Sequence, residues 1–570
     1  MEPRPPRRAH VLLLVFLPAV LQAAIVTAFG SRMFLWDEFV YVPAFRQIGE
    51  GKPWLHWIWQ QHNEHRIVWT KLLFFAHAGL SGWNPFVDMY ASACLTALIA
   101  WGIWKLYRAA GPGRPAYFVP AALLLCSLAQ YMNILYGLMT CHYFTIAGMV
   151  WTIVFLTRRT WTGLAAAIAC GFAALVSTLN AVIIAPIGLL VLVMTRQKPV
   201  RWIVWIAAML ACGIVYFYAY QRPPQIPRVD WTSAAGIRLV ADTFLVNLGS
   251  PLSAGRLAWA RALGVMTVVA LVLLWLGVWV FDRRESHAGL VALSAVAVGC
   301  AAAVALGRSA LGPATALESK YVAYSTFALL AVYLGLATLP RVPASRVILS
   351  GLTAVIAIGL AAANVAGFEQ ARAWQQVRQR NAYLLQTIEM QPDENLGPMF
   401  FAAPLRDAAA YLRATRLGPF HETIDALMVP RWRDGLPTGP ITAASPVRAH
   451  VVCPVDTLVD VGLVVSPAGG TGAVELTVTA GGRVVGRGQL AAEGAQPAQY
   501  VRVTLDSPIR GCRGADLIVE ATSSAAASGG AFHAWTYPVF VAGVTTQGGR
   551  LIDQRSLGLA FNAFSYGLIQ

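Results

Sequence analysis

Charged residues are scarce in this chain, and acids are scarcer than bases. Only 12% of its 570 residues are Asp, Glu, Lys or Arg, with 27 acids against 43 Lys and Arg, whereas 57% are hydrophobic. A soluble globular domain carries roughly 25% charged residues. The composition therefore argues against an ordinary soluble protein and predicts one that places most of its chain in a membrane.

Several functional signatures are also missing. The sequence holds no Walker A motif, no Gly-rich dinucleotide fingerprint and no long soluble catalytic domain. The missing Walker A motif argues against an ATP-driven transporter, and the missing soluble domain argues against a membrane phosphoethanolamine transferase. The net charge of +16 does not indicate nucleic-acid binding, because most Lys and Arg stand in short loops between apolar segments, the pattern that orients membrane proteins.

Apolar runs recur from residue 10 to about residue 365, each near the ~20 residues that cross a ~30 Å hydrocarbon core. They predict a polytopic α-helical membrane protein with about eleven spans. The predicted spans are 10–30, 87–107, 116–131, 142–157, 162–178, 181–195, 202–220, 258–281, 288–306, 321–339 and 347–366.

The basic loops predict the orientation of these spans. Arg4, Arg7 and Arg8 hold the N-terminus in the cytoplasm, and later basic clusters such as Arg158–Arg159 fall at every second loop. The first span then serves as an uncleaved anchor. We therefore predict a multi-pass inner-membrane protein whose first long loop and C-terminal region are periplasmic.

Composition divides the chain into three predicted regions. Residues 1–366 form the membrane domain, with a first external loop at 31–86, and residues 367–450 form an extracytoplasmic helical linker. Residues 451–570 alternate apolar and polar positions in strand-length runs bounded by Gly, Pro and Ser. That region predicts a jelly-roll-like β-sandwich, with a hairpin turn at Gly481–Gly482.

An acidic pair, Asp37 and Glu38, stands directly after the first span. An ionised carboxylate at a membrane surface costs free energy unless a partner, a metal or a substrate compensates it. The pair is therefore a candidate catalytic site, and together with His62 a candidate site for a divalent metal. The alternative is that Asp37 caps the interfacial helix that follows.

An acidic pair at this position, an amphipathic first loop and a β-rich tail together resemble the GT-C superfamily of glycosyltransferases, which use polyprenyl-phosphate-linked sugars. The resemblance covers the whole chain in architecture but only a few residues in motif. It implies that Asp37 is the general base for the acceptor hydroxyl, with Glu38 as its substitute. A partly desolvated carboxylate suits that role because it is a stronger base than one in water.

A second polar cluster follows in the same loop: His62, Asn63, Glu64, His65 and Arg66. Its spacing differs from the i, i+4 His pair of a zinc helix. We predict substrate binding, with Asn63 and Glu64 on sugar hydroxyls and Arg66 on a phosphate. The alternative is an ordinary solvated loop.

The third external loop contributes Arg308, Lys320 and Tyr321. A cation near the membrane surface stabilises the charge that develops on a departing lipid phosphate. The resembled family commonly has such a basic and aromatic element, and Arg308 is therefore the first candidate for binding the lipid phosphate. For each of these residues the alternative is an interfacial anchor.

Cys453 and Cys512 are the only cysteines of the C-terminal soluble region. If that region is periplasmic, the oxidising compartment predicts a disulfide between them. The six other cysteines lie in or beside spans, where a small apolar residue is the simpler explanation.

These features predict an inverting glycosyltransferase that moves a sugar from a polyprenyl-phosphate donor to a glycan, lipid or protein acceptor of the cell envelope. Membrane lipids are its other partners, nucleic acid is not one, and no cofactor beyond a possible divalent metal is implied. The alternatives are a transporter or flippase of lipid-linked saccharides and a non-catalytic envelope assembly protein. A reaction at the membrane surface is favoured over transport through the spans, because the spans hold few ionisable residues.

Overall fold

The computed structural model describes residues 8–224, 229–230, 232–339, 343–386, 388, 393–420, 435–523, 530–537, 543–552 and 555–562. Their contacts define two compact units. The membrane unit comprises residues 1–32 and 47–373, and the C-terminal unit comprises residues 33–46 and 374–570. The first external loop is thus divided between the two units.

The helices follow the apolar runs of the sequence. They are α1 Arg8–Phe29, α2 Val42–Gly49, α3 Leu55–Trp59, α4 Val68–Ser81, α5 Pro85–Ala110, α6 Val119–Leu125, α7 Tyr131–Leu135, α8 Thr140–Leu156, α9 Trp161–Leu175, α10 Ile184–Met194, α11 Pro199–Phe217, α12 Ala234–Gly249, α13 Leu257–Val280, α14 Arg284–Arg308, α15 Ser319–Thr338, α16 Pro343–Gln386, α17 Asp393–Leu396 and α18 Ala402–Thr415.

Within the described residues, nine helical segments are long and apolar enough to cross a membrane. Two shorter apolar helices, Trp161–Leu175 and Leu179–Met194, coincide with the remaining two predicted spans. The prediction of a polytopic α-helical membrane protein is confirmed. The segments are Val11–Phe29, Pro85–Ala110, Pro115–Leu135, Gly137–Leu156, Pro199–Phe217, Leu257–Val280, Arg284–Leu311, Ser319–Thr338 and Val347–Gln375.

The segment Pro115–Leu135 is a broken helix, with α6 and α7 separated by a short irregular stretch. Backbone groups freed by such a break need other partners inside a membrane. The Leu128 N–H donates to the Asn364 side-chain oxygen at 2.7 Å, and the Gln130 amide donates to the Leu125 carbonyl at 2.6 Å. Side chains therefore replace the missing helical hydrogen bonds.

The helix α12 lies outside the predicted spans. The segment after α11 begins with Pro223 and Pro224, and α12 follows within it. The Ser233 hydroxyl accepts a hydrogen bond from the Gly236 N–H at 3.1 Å, which caps the start of this helix.

Residues 33–46 belong to the C-terminal unit because their aromatic and basic side chains pack there. The Phe39 and Phe400 ring centroids lie 6.0 Å apart, those of Trp36 and Trp374 lie 5.6 Å apart, and Arg46 donates to the Asp407 carbonyl at 3.1 Å. The predicted boundary at residue 366 is also not a break in structure, since α16 runs on to Gln386.

After α17 and α18, the described residues of the C-terminal unit from Leu436 onward form short strands that pair antiparallel. They are β1 Leu436–Pro437, β2 Val447–Val452, β3 Thr457–Pro467, β4 Ala473–Ala480, β5 Arg483–Ala491, β6 Gln499–Arg510, β7 Asp516–Ser523, β8 Phe532–Tyr537, β9 Gly543–Gln547, β10 Arg550–Leu551, β11 Ser556–Leu557 and β12 Leu559–Phe561.

These strands form two sheets, as the alternating pattern predicted. One sheet has the order β1-β8-β3-β12, with β11 also paired to β8 and β6 to β3; the other has the order β10-β9-β2-β7-β4-β5. Alternate residues of β4 and β7 are buried, which places one face of their sheet in the core. Gly481 and Gly482 join β4 to β5 with φ of 55° and 75°, the left-handed backbone that the predicted hairpin turn requires.

Cys453 and Cys512 are bonded to each other, with Cα atoms 5.7 Å apart, and the six other cysteines are free. The predicted pairing is confirmed. The disulfide closes a loop across a sequence separation of 59.

Replacing both Cys453 and Cys512 by Ser should destabilise the C-terminal unit by about 4 kcal/mol, because the reduced unfolded chain is no longer constrained. Limited proteolysis of the full-length protein should then cut within residues 454–511 well below the wild-type unfolding temperature. Cys94→Ser, at an exposed free cysteine, is the matched control. Equal protease resistance of the double variant and the control would contradict this expectation.

Candidate active site

The second polar cluster forms a tight two-residue turn. The His62 N–H donates to the His65 carbonyl at 2.7 Å, and the His65 N–H donates to the His62 carbonyl at 2.8 Å. Asn63 occupies the first turn position with φ of 47°. A turn with a positive φ at this position favours Gly, Asn or Asp. The cluster is therefore a rigid hairpin that projects Glu64 at its tip.

Asn63→Gly should leave sugar transfer and expression within about twofold of wild type if Asn63 serves mainly the turn, because Gly adopts positive φ without strain. Asn63→Val should instead lower the yield of folded protein, since a β-branched residue disfavours that backbone. The comparison is made on purified protein at equal monodispersity. A large loss of activity in Asn63→Gly would show that the amide side chain binds substrate, as the sequence predicted.

Ile67, just after the hairpin, also has a left-handed backbone, with φ of 44°. A β-branched residue is rarely found there, and such backbone costs roughly 1–3 kcal/mol. Two hydrogen bonds hold it: the Ile67 N–H donates to the Ser177 carbonyl and the Val68 N–H to the Val176 carbonyl, each at 3.0 Å. These bonds fix the hairpin to the end of α9.

Glu64 and Arg308 form an ion pair at the centre of the membrane unit's polar cluster. Their side chains are only 18% and 22% exposed. The Arg308 Nε also donates to the Tyr321 hydroxyl at 3.2 Å. The fold thus brings together three predicted site residues, from the hairpin, the end of α14 and the start of α15.

The second carboxylate oxygen of Glu64 is buried and has no hydrogen-bond partner within the described part of the chain. The same holds for the side-chain oxygens of Asn133 and Ser309, which adjoin Lys320 and Arg308. A buried oxygen without a partner costs about 1–3 kcal/mol. These three oxygens, on residues next to the two cations, are open to a hydrogen bond from water or a ligand.

His65 lies beside this pair and is neutral at physiological pH. Burial lowers the pKa of His65 to about 4, although the Glu64 carboxylate opposes the shift. The His65 Nδ1 accepts the Leu179 N–H at 3.1 Å, so the proton sits on Nε2, which lies 3.8 Å from Glu64. His65 therefore presents one fixed N–H donor.

Glu64 stays ionised at neutral pH. Burial by itself would raise the pKa of this carboxyl, but the positive potential of His65 and Arg308 outweighs burial, and the pKa lies below its ordinary value. Because His65 is neutral at pH 7, Arg308 is the permanent charge that holds Glu64 in its ionised form.

Lys320 carries the second cation of the cluster. Its ammonium pairs with Glu318, and its backbone carbonyl accepts the Asn133 amide at 3.1 Å. The charges of the two acids, Glu64 and Glu318, and the two bases, Arg308 and Lys320, sum to zero. The Arg308 Nη1 has no partner among the described residues, so it is placed to donate to a ligand.

Arg66, for which we predicted a phosphate contact, is hydrogen bonded to backbone carbonyls in the structure. It is 3% exposed, and its guanidinium donates to the carbonyls of Trp59, Tyr216 and Tyr218 at 2.6–3.2 Å. The last carbonyls of a helix lack intrahelical partners, and Arg66 supplies donors at the end of α11. These bonds engage the guanidinium on its Nε, Nη1 and Nη2 atoms. His62 contributes its backbone to the hairpin.

Sequence reasoning missed two residues that border the cluster. The His142 Nδ1 and the Tyr324 hydroxyl are hydrogen bonded at 2.8 Å, and the His142 and His65 ring centroids lie 6.5 Å apart. Both residues stand inside spans, and an intramembrane His is a functional signal in itself. His142, in the run Thr140-Cys141-His142-Tyr143, is the residue by which the sequence could have indicated this part of the site.

Asp37 and Glu38 lie in the C-terminal unit, at the start of a 3₁₀ helix formed by Trp36–Tyr41. Glu38 is 2% exposed, and its Oε2 accepts the Leu35 N–H at 2.8 Å. The Glu38 carboxylate therefore caps the start of this 3₁₀ helix. Asp37 is half-buried. No cluster of three His, Cys, Asp or Glu suited to a metal occurs among the residues described.

No family model matches this chain, and no curated protein matches it. Among solved structures, the chain is similar to arabinosyltransferase EmbB from Mycobacterium smegmatis, with 13% identity and a TM-score of 0.32. The match covers 100% of this chain and 66% of that one, so the chain spans just under two thirds of that protein's length. The helices and sheets themselves define the class here: a polytopic membrane protein with an all-β C-terminal domain.

Proposed function

We propose that this protein is an inverting glycosyltransferase that moves a sugar from a polyprenyl-phosphate donor to an acceptor of the cell envelope. The observation that carries the proposal is the buried Glu64–Arg308 pair. One Glu64 oxygen is held by a permanent cation and the other has no partner within the described residues. A sugar hydroxyl supplies the missing donor, and a lipid phosphate fits the unused face of Arg308.

Burial of the pair at the membrane surface favours this chemistry over an interfacial anchor. An anchoring Arg extends its charge into water, whereas the Arg308 guanidinium is largely buried and contacts Tyr321 and Glu64. Charge–charge interactions are stronger in such a partly desolvated site than in water.

In the proposed reaction the acceptor oxygen attacks the anomeric carbon, and the bond from that carbon to the phosphate oxygen breaks with its electron pair leaving on the phosphate. Arg308 and Lys320 stabilise the departing anion, while Asp37 takes the proton of the acceptor hydroxyl. Glu64 and the His65 Nε2–H orient the sugar through its hydroxyls. The configuration at the anomeric carbon inverts because there is a single displacement.

The proposed orientation places the hairpin and the C-terminal unit on the periplasmic side of the inner membrane. Single cysteines at Lys52 and Ser507, both exposed, should react with a membrane-impermeant maleimide added to spheroplasts. A cysteine at exposed Ala109, near the end of α5, should be protected. Protection of position 52 or 507, or labelling of position 109, would contradict the orientation.

The experiment that tests the function compares transfer with translocation on one preparation. Purified full-length protein is placed in vesicles with radiolabelled polyprenyl-phosphate sugars and envelope extract as acceptor. We expect label to pass from the chloroform-soluble donor to the acceptor fraction, and the donor to stay in its leaflet. Donor that crosses the bilayer without loss of its sugar would favour the flippase instead.

A further inference from the structure

An open apolar groove lies on the surface of the membrane unit, bordered by α4, α5, α8 and α9. Its volume is about 750 Å³. Ala147, Gly148 and Ala173 make room for it, while Trp101 and Trp151 meet edge to face with ring centroids 5.0 Å apart. A lining of this chemistry accepts a hydrocarbon chain.

Two cations close one end of this groove. Lys105, in the last turns of α5, has its Nζ 5.0 Å from the Trp101 ring centroid, and Arg158, after α8, has its Cζ 4.8 Å from that of Phe155. Within the described chain neither cation has an acidic partner, whereas the next residue, Arg159, pairs with Glu285. Like charges sharing one groove repel each other unless an anion lies between them.

The opposite end of the groove is apolar. Trp69 packs on Phe144 there, with ring centroids 6.4 Å apart, and donates to the Ala173 carbonyl at 3.0 Å. From Phe144 to Phe155 the groove follows α8 for about 16 Å at 1.5 Å per residue. That length is roughly half of a ~30 Å hydrocarbon core, the depth of one leaflet.

The cation end lies far from the polar cluster described above. His142, in the first turn of α8, stands beside His65. Arg158 follows the end of α8, about 24 Å further along the axis. A phosphate held by Lys105 and Arg158 is therefore at the other membrane face from Arg308.

We propose that this groove binds one acyl chain of an anionic phospholipid, with its headgroup phosphate held between Lys105 and Arg158. A basic pocket between spans is the usual recognition element for such headgroups. The inference is independent of the sugar chemistry, because no residue of the groove belongs to the candidate active site.

Native mass spectrometry of the full-length protein tests this proposal, with equimolar phosphatidylglycerol and phosphatidylethanolamine of matched chains. Wild type should retain phosphatidylglycerol on the order of tenfold better than phosphatidylethanolamine, since two cations contribute to binding of the anionic lipid. Lys105→Gln/Arg158→Gln should lose that preference. Unchanged preference in this double variant would overturn the proposal.

Two further variants separate the groove from general membrane charge. Lys198→Gln/Arg201→Gln removes two cations at the start of α11, where Arg201 also stacks on an aromatic ring, Trp161; it should keep the preference. Ala173→Leu fills the groove and should reduce retention of both lipids, with Cys170→Leu as the substitute if Ala173→Leu does not fold. Full retention in the folded filling variant, or displacement of phosphatidylglycerol by a polyprenyl phosphate, would overturn the assignment.

Discussion

Asp37→Asn should lower the rate of sugar transfer about a hundred- to ten-thousand-fold, the usual cost of removing a general base. The amide keeps the size and the hydrogen-bonding capacity of the side chain but no longer accepts the proton of the acceptor hydroxyl. Donor affinity should stay near the wild-type value, because the base acts only on the acceptor in the transition state. Single-turnover kinetics with bound labelled donor measure both quantities.

Glu38 provides the matched control for this experiment, since it neighbours Asp37 but its carboxylate caps the 3₁₀ helix. Glu38→Ala should destabilise the C-terminal unit by about 1 kcal/mol through loss of the cap, with a rate change far below that of Asp37→Asn. If Asp37→Asn were as active as wild type while Glu64→Gln were inactive, the base would be Glu64. If both were fully active, the proposed transfer would be wrong.

The length of an apolar run is a local property of the sequence, and for this reason the spans were predictable. Every predicted span coincides with an apolar helix of the structure. α12 was not predicted because it lies between two spans and carries no apolar run long enough to cross a membrane. It packs against α13 and α14, with Arg261 paired to Asp242, and such tertiary support leaves no strong periodic signal.

The polar cluster of the membrane unit shows a second limit of prediction from sequence, which concerns contacts between distant positions. Residue types and their position in or beside the external loops marked Glu64, His65, Arg308, Lys320 and Tyr321 as candidate site residues. The pairing of Glu64 with Arg308 joins positions 244 residues apart, and no local pattern encodes that distance. For the same reason the sequence alone did not distinguish the surroundings of Arg308 from those of Arg66. The Arg66 guanidinium donates to backbone carbonyls near the end of α11.

The acidic pair illustrates how adjacent like residues diverge in a fold. The sequence suggested Asp37 as base or cap and Glu38 as its substitute. Glu38 stands at the third position after Leu35, the place from which a Glu side chain reaches back to the preceding backbone N–H. The capping-box spacing was therefore present, but its first position holds Leu in place of Ser or Thr.

Arg308→Gln should reduce turnover about a hundred- to a thousand-fold, the cost of removing one preorganised donor to developing charge. Donor affinity should fall as well, because the lipid phosphate is charged before it departs. The variant also leaves the Glu64 carboxylate buried without its cation, so the pKa of Glu64 should rise. The acid limb of the rate profile should then move to higher pH, since Glu64 has to be ionised to accept a sugar hydroxyl.

Arg256→Gln is the control for this change. Arg256 directly precedes α13, is exposed and stacks on Trp259, so its replacement should leave turnover and the pH profile unaltered. A double-mutant cycle with Glu64→Gln then separates two roles of Glu64. If Glu64 only positions Arg308, the double variant should be no worse than Arg308→Gln alone. If Glu64 also binds the sugar through its second oxygen, the double variant should lose a further factor in donor affinity. Wild-type donor affinity and turnover in Arg308→Gln would mean that the lipid phosphate is bound elsewhere.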